Sequence, residues 1–524
     1  MTGTITYILS RAGYRAMNGP LADERRRLAG AEPPAAYVSY DPRLLAGAGW
    51  YGYRIALKGG DRQMVERARY MLSERYIIRD GYEYYADGIY VFGVMLRERV
   101  PHYGIGGGAE PEPPTIDWWG LKLTMPEGGA VILRKNGSPN AVNLEVSTDG
   151  QNWQPWTLVG TDYTYTLQAG QTLCIRNTST TFVRFSTSSS DYYQFIINNT
   201  VYASGSVMSL SANDETVLSL TGTNYNFFYL FKGCSSLVNA PSLPATTLAG
   251  SCYGYMFYGC TSLVNAPSLP ATTMAVDCYK AMFYGCTSLV NAPSLPATTL
   301  ASGCYSYMFQ GCASLVNAPS LPATTMAVDC YRDMFQGCAS LVNAPSLPAT
   351  TLAGSCYRAM FYGCTSLVNA PSLPATTMAV DCYRDMFQGC SSLVNAPSLP
   401  ATTLAGSCYR AMFYGCTSLV NAPSLPATTL ASGCYRAMFQ GCTSLVNAPS
   451  LPATTMASEC YRAMFQGCRM LSELRTYMTD ISASGCLTDW LSGVAATGDF
   501  YCPAELTIPT GTSGIPGGWT RHDI

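Results

Sequence analysis

Residues Cys252 to Asp277 read CYGYMFYGCTSLVNAPSLPATTMAVD, and Cys278 starts the same string again. The unit restarts at Cys304, Cys330, Cys356, Cys382, Cys408, Cys434 and Cys460, always after 26 residues. A degenerate copy opens at Asn226, and another at Cys486, where WLSGV stands in place of MFQGC. A fixed period of this size with an atypical unit at each end is the signature of a capped solenoid. One unit cannot bury its own apolar face, so its neighbours must cover it.

The constant columns say which face that is. Cys252, Phe257, Cys260, Leu263 and Leu269 recur in every full coil, and such groups are the ones most often buried. Ala327 to Cys338 reads as a short helix, with Asp329 as N-cap and Gly337 as stop. Ser340 to Pro345 reads as a short strand and Leu347 to Thr351 as the return turn. Equivalent strands should stack in parallel at about 4.8 Å per coil. A proline in each coil (Pro267, Pro293, Pro319 and onward) cannot donate to a ladder, so the paired segment should be short and end there.

The M-F-x-G-C-x-S-L core resembles the A-F-x-G-C-x-S-L core of BspA-like (Treponema-type) leucine-rich repeats, in phase, from Asn226 to Gly518. The departures are a longer coil, Ala-Pro-Ser-Leu-Pro where that family has Ile-x-Ile-Pro, and Cys at the "CY" position. The variant PSLPATTLA…CYxxMFxGC is similar to repeat proteins of gut bacteria and their phages. The resemblance implies a leucine-rich-repeat fold.

The 524 residues exceed one ordinary core, so several modules are expected. Formal net charge is -2, which gives no global field to recruit nucleic acid or a membrane. Twenty of the 22 cysteines lie on the two repeat columns, and Cys174 and Cys502 are the others. No C-x-x-C pair exists, so zinc-ribbon spacing is missing. In-register parallel neighbours point their side chains the same way. Ladders of buried free thiols are therefore expected, ahead of scattered disulfides or metal. No cofactor is called for. MTGTITYILSRAGYR lacks a basic n-region and a long apolar run, so no Sec signal peptide is expected, and no stretch reaches transmembrane length.

Taken in order, residues 1–104 read as an α+β attachment module. Gly59 to Ile78 has helical spacing behind Asp61. Asp80 to Leu96 reads as two strands around Asp87-Gly88. The run Arg25, Arg26, Arg27 reads as a solvated helix face. Residues 105–114 are a Gly/Pro/Glu linker. Residues 115–225 turn to alternation and read as a small β-sandwich that also caps the solenoid. Within it Ser147, Asp149, Gly150 and Trp153 look like a shortened Asp-box hairpin, a turn element without catalytic duty. Trp118, Trp119, Trp153 and Trp156 read as core ahead of a sugar-stacking platform. Residues 226–485 form the solenoid of ten coils and 486–524 the C-terminal cap. The fold class is mainly β with short helices.

Chemistry finds little footing. The two histidines, His102 and His522, neighbour no candidate nucleophile. Asp277, Asp329, Asp333, Asp381 and Asp385 stand mostly beside an Arg, which is poor geometry for paired-carboxylate hydrolysis. A glycan-degrading enzyme is thus the third reading. Binding is better supported, because variation gathers in a few columns. Arg332, Arg358, Arg384, Arg410, Arg436 and Arg462 recur at one position, with Tyr255 and Tyr307 in the next column. These residues read either as a solvated helix face or as the candidate ligand-binding stripe for a host or cell-surface glycan or protein receptor. The expected function is a phage tail fibre or tail-associated receptor-binding protein, held to virion tail proteins through residues 1–104. It would reside in the virion or outside the cell, with no membrane insertion and a homo-oligomer left open. The alternative is a bacterial surface adhesin or secreted interaction module, which would need an export route.

Overall fold

The computed structural model describes residues 118–524, apart from Thr180, and the backbone of five strands before them. The chain divides into two compact units, Met1–Glu112 and Pro113–Ile524.

In the first unit, strands β1 (Thr2–Ser10), β2 (Tyr37–Tyr40), β3 (Trp50–Lys58), β4 (Tyr76–Arg79) and β5 (Tyr82–Tyr85) form one antiparallel sheet ordered β2-β3-β1-β4-β5. Arg79 pairs with Tyr82, so Tyr82–Tyr85, read from the sequence as strand, pairs back with Tyr76–Arg79. Tyr76 to Ile78, expected at the end of a helix, are strand residues, in keeping with their aromatic and β-branched side chains. The rest of that helix, Asp87-Gly88, Arg25 to Arg27, His102 and the linker lie outside the described residues.

The second unit begins with two sheets. Its strands are β6 (Lys122–Thr124), β7 (Gly129–Asn136), β8 (Leu144–Ser147), β9 (Gln154–Pro155), β10 (Leu158–Val159), β11 (Asp162–Leu167), β12 (Thr172–Asn177), β13 (Tyr192–Ile196) and β14 (Val201–Ser204), with β15 (Leu237–Asn239) in the first coil. One sheet is ordered β10-β11-β7-β13 and the other β15-β14-β6-β12-β8-β9. Leu123, Leu173 and Ile175 of the second sheet share a buried cluster with Val131, Leu133 and Phe195 of the first. The Ser147–Trp153 turn is locked as its sequence implied. Ser147 Oγ accepts from the Gly150 amide at 2.9 Å, and Asp149 accepts from the amides of Gln151 and Asn152. Those donors hold the Asp149 carboxyl well below the usual carboxylate range.

The second sheet runs straight into the solenoid, because β14 pairs with β15 in parallel. The first coil's open carbonyls are met by donors from the two-sheet module. Phe195 N–H reaches Leu230 O at 2.7 Å, Gln194 Nε2 reaches Lys232 O at 2.6 Å, and Ser186 N–H reaches Asn226 O at 2.8 Å. The Phe195 ring lies on Phe231 at 5.0 Å and begins a stack that continues through Phe257 and every later coil to Phe465.

One wall of each coil is not the helix that the sequence suggested. From Ser251 to Cys260 the amides alternate strictly. Ser251, Tyr253, Tyr255, Phe257 and Gly259 donate to carbonyls of the following coil, whereas Cys252, Gly254, Met256, Tyr258 and Cys260 donate three residues back. Ser251, Tyr255 and Gly259 have φ of 53, 55 and 72°, so a left-handed residue comes every four positions. This is a string of tight turns, with φ > 0 where a type II turn demands it. Asp329 and Gly337, read from sequence as helix cap and stop, occupy two of these left-handed positions, with φ of 56 and 73°. The physical reason is spacing. An α-helix is about 10 Å across, but the coils stack at one strand spacing, about 4.8 Å. Among the described residues the one helical segment is a 3-10 turn at Val207–Leu210.

On the other wall, pairing shrinks to parallel single-residue bridges, Asn239↔Asn265↔Asn291 and on to Asn447. Each of these bridges lies two residues before the proline, where the ladder breaks off. A second line of bridges after the prolines joins Thr247, Thr273, Thr299, Thr325 and Thr351, so the segment read as a return turn also pairs. Between the walls lie the columns of Cys252, Tyr253, Met256, Phe257, Cys260, Leu263 and Leu269, 0–3% exposed in the full coils. At the far end β16 (Glu473–Arg475), β17 (Gly498–Cys502) and β18 (Trp519–Asp523) form a parallel sheet. Trp490 takes the methionine column there, fully buried, with Nε1 on Gly514 O at 2.9 Å.

Candidate functional site

The two walls of the coil differ in kind. The bridge wall, SLVNAPSLPATT, is repeated without change nine times, starting at Ser236, Ser262, Ser288, Ser314, Ser340, Ser366, Ser392, Ser418 and Ser444. The turn wall varies in its outward columns while its buried columns stay constant. Packing fixes the buried columns, so it cannot account for which exposed columns vary.

The arginine column of the turn wall is not a uniform basic stripe. Arg332 lies 3.6 Å from Asp329 and 3.1 Å from Asp333, and its guanidinium sits over the Tyr307 ring at 5.6 Å. Arg384 repeats this with Asp381 at 3.5 Å and Asp385 at 3.2 Å. Arg436 and Arg462 share Glu459. The guanidinium groups of Arg358 and Arg410 make no ion pair or hydrogen bond among the described residues, since Ser355 and Ala359, or Ser407 and Ala411, stand where the other coils carry acids, and they feel Asp333 and Asp385 only from neighbouring coils. Each stands in a coil with a tyrosine in the column after Phe, Tyr362 at 36% and Tyr414 at 37% exposed. The guanidinium of Arg410 is pushed below its usual range by partial burial and then by Arg384 and Arg436 on either side. An anion there would relieve that repulsion. The two arginines are two coils apart, about 9.6 Å.

The acids of this column serve the arginines. Asp333 is 8% exposed, and burial raises its carboxyl pKa against the opposing pull of Arg332. Tyr255 is not an open platform. It packs with Tyr229 at 5.4 Å and Phe228 at 5.5 Å near the start of the rod.

The tryptophans split. Trp156 is core, 5% exposed. Trp118 and Trp153 meet edge-on at 4.8 Å, and Arg176 covers the Trp153 ring at 4.0 Å while it pairs with Glu145 at 2.7 Å. Trp119 packs partly buried beside Trp118. The Arg176 guanidinium therefore occupies one face of Trp153. At the C-terminal cap His522 pairs with Asp499 at 2.7 Å and stacks on Tyr501.

All 22 cysteines are buried and unbonded. Those of the second column donate Sγ–H to a phenylalanine carbonyl in the coil before, as Cys286 does to Phe257 O at 3.1 Å. Burial pushes the Cys286 thiol up to about 12. That is the wrong direction for a nucleophile or a metal ligand.

Stacked coils with a leucine-bearing core, joined through parallel bridges, define a leucine-rich-repeat solenoid. The family model described as BspA type Leucine rich repeat region matches residues 228–342 and 355–484, in six copies. Those residues are similar to a BspA type leucine-rich repeat region, and the chain carries tandem repeats. Neither the curated proteins nor the solved structures gave a match.

Proposed function

We propose that the chain is a non-enzymatic attachment protein, a phage tail fibre or tail-associated receptor-binding protein. Its turn wall binds the host surface, and residues 1–104 join it to the tail. The observation that carries the reading is the contrast between a turn wall whose exposed columns vary and a bridge wall whose exposed columns do not. Recognition needs adjustable side chains on a rigid support, and the turn wall supplies them. The receptor class that suits Arg358 with Tyr362, and Arg410 with Tyr414, is an acidic glycan. Two equivalent weak sites on one rod would gain by multivalency.

The test is adsorption of the full chain to host cells and to their isolated capsular polysaccharide. Changing Arg358 and Arg410 together to Ser should weaken adsorption at least about tenfold and flatten its salt dependence. Unchanged adsorption would remove the turn wall from the reading. Immunogold label should fall on virion tails. Label on a bacterial envelope instead would make the protein a cell-surface adhesin.

A further inference from the structure

The bridge wall has no part in the function proposed above, yet it is the most uniform surface of the molecule. Its exposed side chains are the same in every copy. Val264, Val290, Val316, Val342, Val368 and Val394 are 37–40% exposed. Beside them run exposed columns of Asn265, Ser268, Thr272 and Thr273 and their equivalents. No charged residue occurs on this wall in any of the nine copies. Charges return at the C-terminal end, where Glu473 and Arg475 follow the last copy.

We infer that this wall is a self-association surface, whose occupant is the same wall of a second copy of the chain. Four observations favour a copy over any other partner. The wall repeats at one strand spacing along its length, and a second copy carries the same period by construction. A partner of different period would match at one coil and miss at the next. With no charge to desolvate, face-to-face burial avoids the penalty that charged surfaces incur. The amides are partly provided for already: Asn369 Nδ2 donates to Asn343 Oδ1 at 3.2 Å and Asn447 Nδ2 to Asn421 Oδ1 at 2.7 Å, along the rod and not outward. Identical side chains stacked at strand spacing are also what two facing sheets need to interdigitate into a dry interface, with asparagine ladders adding to it.

The size is sufficient. Eight coil steps and a strip from Val264 to Thr273 give a footprint of roughly 1,000 Å². A standard interface takes about 800 Å² from each partner. The patch is uncharged and ridged by valine, with Glu473 and Arg475 at its C-terminal end, in keeping with the depletion of charge at interface cores. The copy starting at Ser340 is the middle one of the nine. Pairing in full register, parallel or antiparallel, therefore sets Asn343 and its neighbours opposite their equivalents.

The test is the mass of the full chain in solution, by light scattering and sedimentation. The wild-type chain should be a dimer. Asn317, Asn343 and Asn369 all changed to Lys should raise the dimer dissociation constant at least about 100-fold, because like charges then face each other. The same three changed to Glu should do likewise. Each set should keep the wild-type circular dichroism, and an equimolar mixture of the two should dimerise again. A wild-type chain that stays monomeric would overturn the inference, as would Lys variants that dimerise like wild type. So would loss of the dimer on changing Arg358 and Arg410 to Ser, since that would move the interface to the turn wall. Those two substitutions with the dimer intact and adsorption lost would support both assignments separately.

Discussion

The Sγ–H of Cys338 donates to the carbonyl oxygen of Phe309 at 3.1 Å, across the boundary between two coils. The same oxygen also accepts the amide of Cys312, three residues on in its own coil. A small side chain that fills the core and still carries a donor is what the position requires. Cys338→Ala should therefore cost about 1–3 kcal/mol, from the lost contact and the smaller residue. Urea unfolding of the pair of proteins measures it. A change under half of that range would mean the carbonyl does not need the thiol.

The thiols also make the molecule sensitive to alkali. Burial pushes Cys286 and Cys390 up to about 12, from an ordinary 9.0. The unfolded chain loses these protons first, so the contribution is fully present below about pH 9 and erodes as pH rises toward 12. The slope is about 1.4 kcal/mol per pH unit for each such thiol. Cooperative unfolding should set in soon above pH 9, followed by circular dichroism. A thiol reagent at pH 8 should leave the folded chain unmodified and react with 22 groups after denaturation. Reaction of the folded chain, or a melting temperature that falls on adding reductant, would contradict buried free thiols.

Backbone conformation predicts an inversion of the usual rule. Ala359 has φ of 50°, a region that costs an L-residue about 1–2 kcal/mol. Ala359→Gly should raise stability by about 0.5–1 kcal/mol after the entropy of the unfolded chain is set against it. Gly337 has φ of 73°, and Gly337→Ala should lower stability by about 1–2 kcal/mol. Thermal unfolding decides both signs.

Each coil bonds only to its neighbours, so a whole coil should be removable. Deleting Cys356 to Asp381, 26 residues, should leave a folded and shorter rod. Deleting Cys356 to Val368, half of that, should put turn wall against bridge wall and expose apolar surface to a hydrophobic dye. Equal damage from both deletions would rule out independent coils.

Phe195 belongs to the two-sheet module but stacks as though it were part of a coil. Phe195→Ala should cost about 3–5 kcal/mol. Hydrogen exchange should rise first in the coil from Phe227 to Cys234, before the distant coils respond.

The legibility of the sequence followed the range of the interactions. Period, buried columns, thiol ladders and the shortness of the strand could be read, because each depends on residue type within one unit and on stacking. The turn string was misread as a helix, since Ala, Met and Arg favour helices and the competing bonds are made to the next coil. A signal was present. Gly303, Tyr307 and Gly311 lie four apart, and from Ser251 to Gly485 the first of those columns holds only Ser, Asp, Gly or Glu. The seam at Val201 and Leu237 was illegible, because the pairing is set by tertiary packing over a long separation. The difference between Arg358 and Arg332 was missed, because the six arginines were read as one stripe, although Ser355 and Ala359 stand in the sequence where Asp329 and Asp333 do.

The one-way donation of the turn wall makes that wall an electrical object. Five amides per coil, aligned and repeated, point toward the C-terminal end, and their carbonyls point toward the two-sheet module. Aligned peptide dipoles add along a helix axis, and here they add along a rod, with the sense opposite to that of a helix. The negative pole lies at the first coil and the positive pole at the last. From Asn226 to Ser251 the only charged residue is Lys232. From Cys486 to Gly511 the only charged residues are Asp489, Asp499 and Glu505. Each pole is met by charge of the opposite sign.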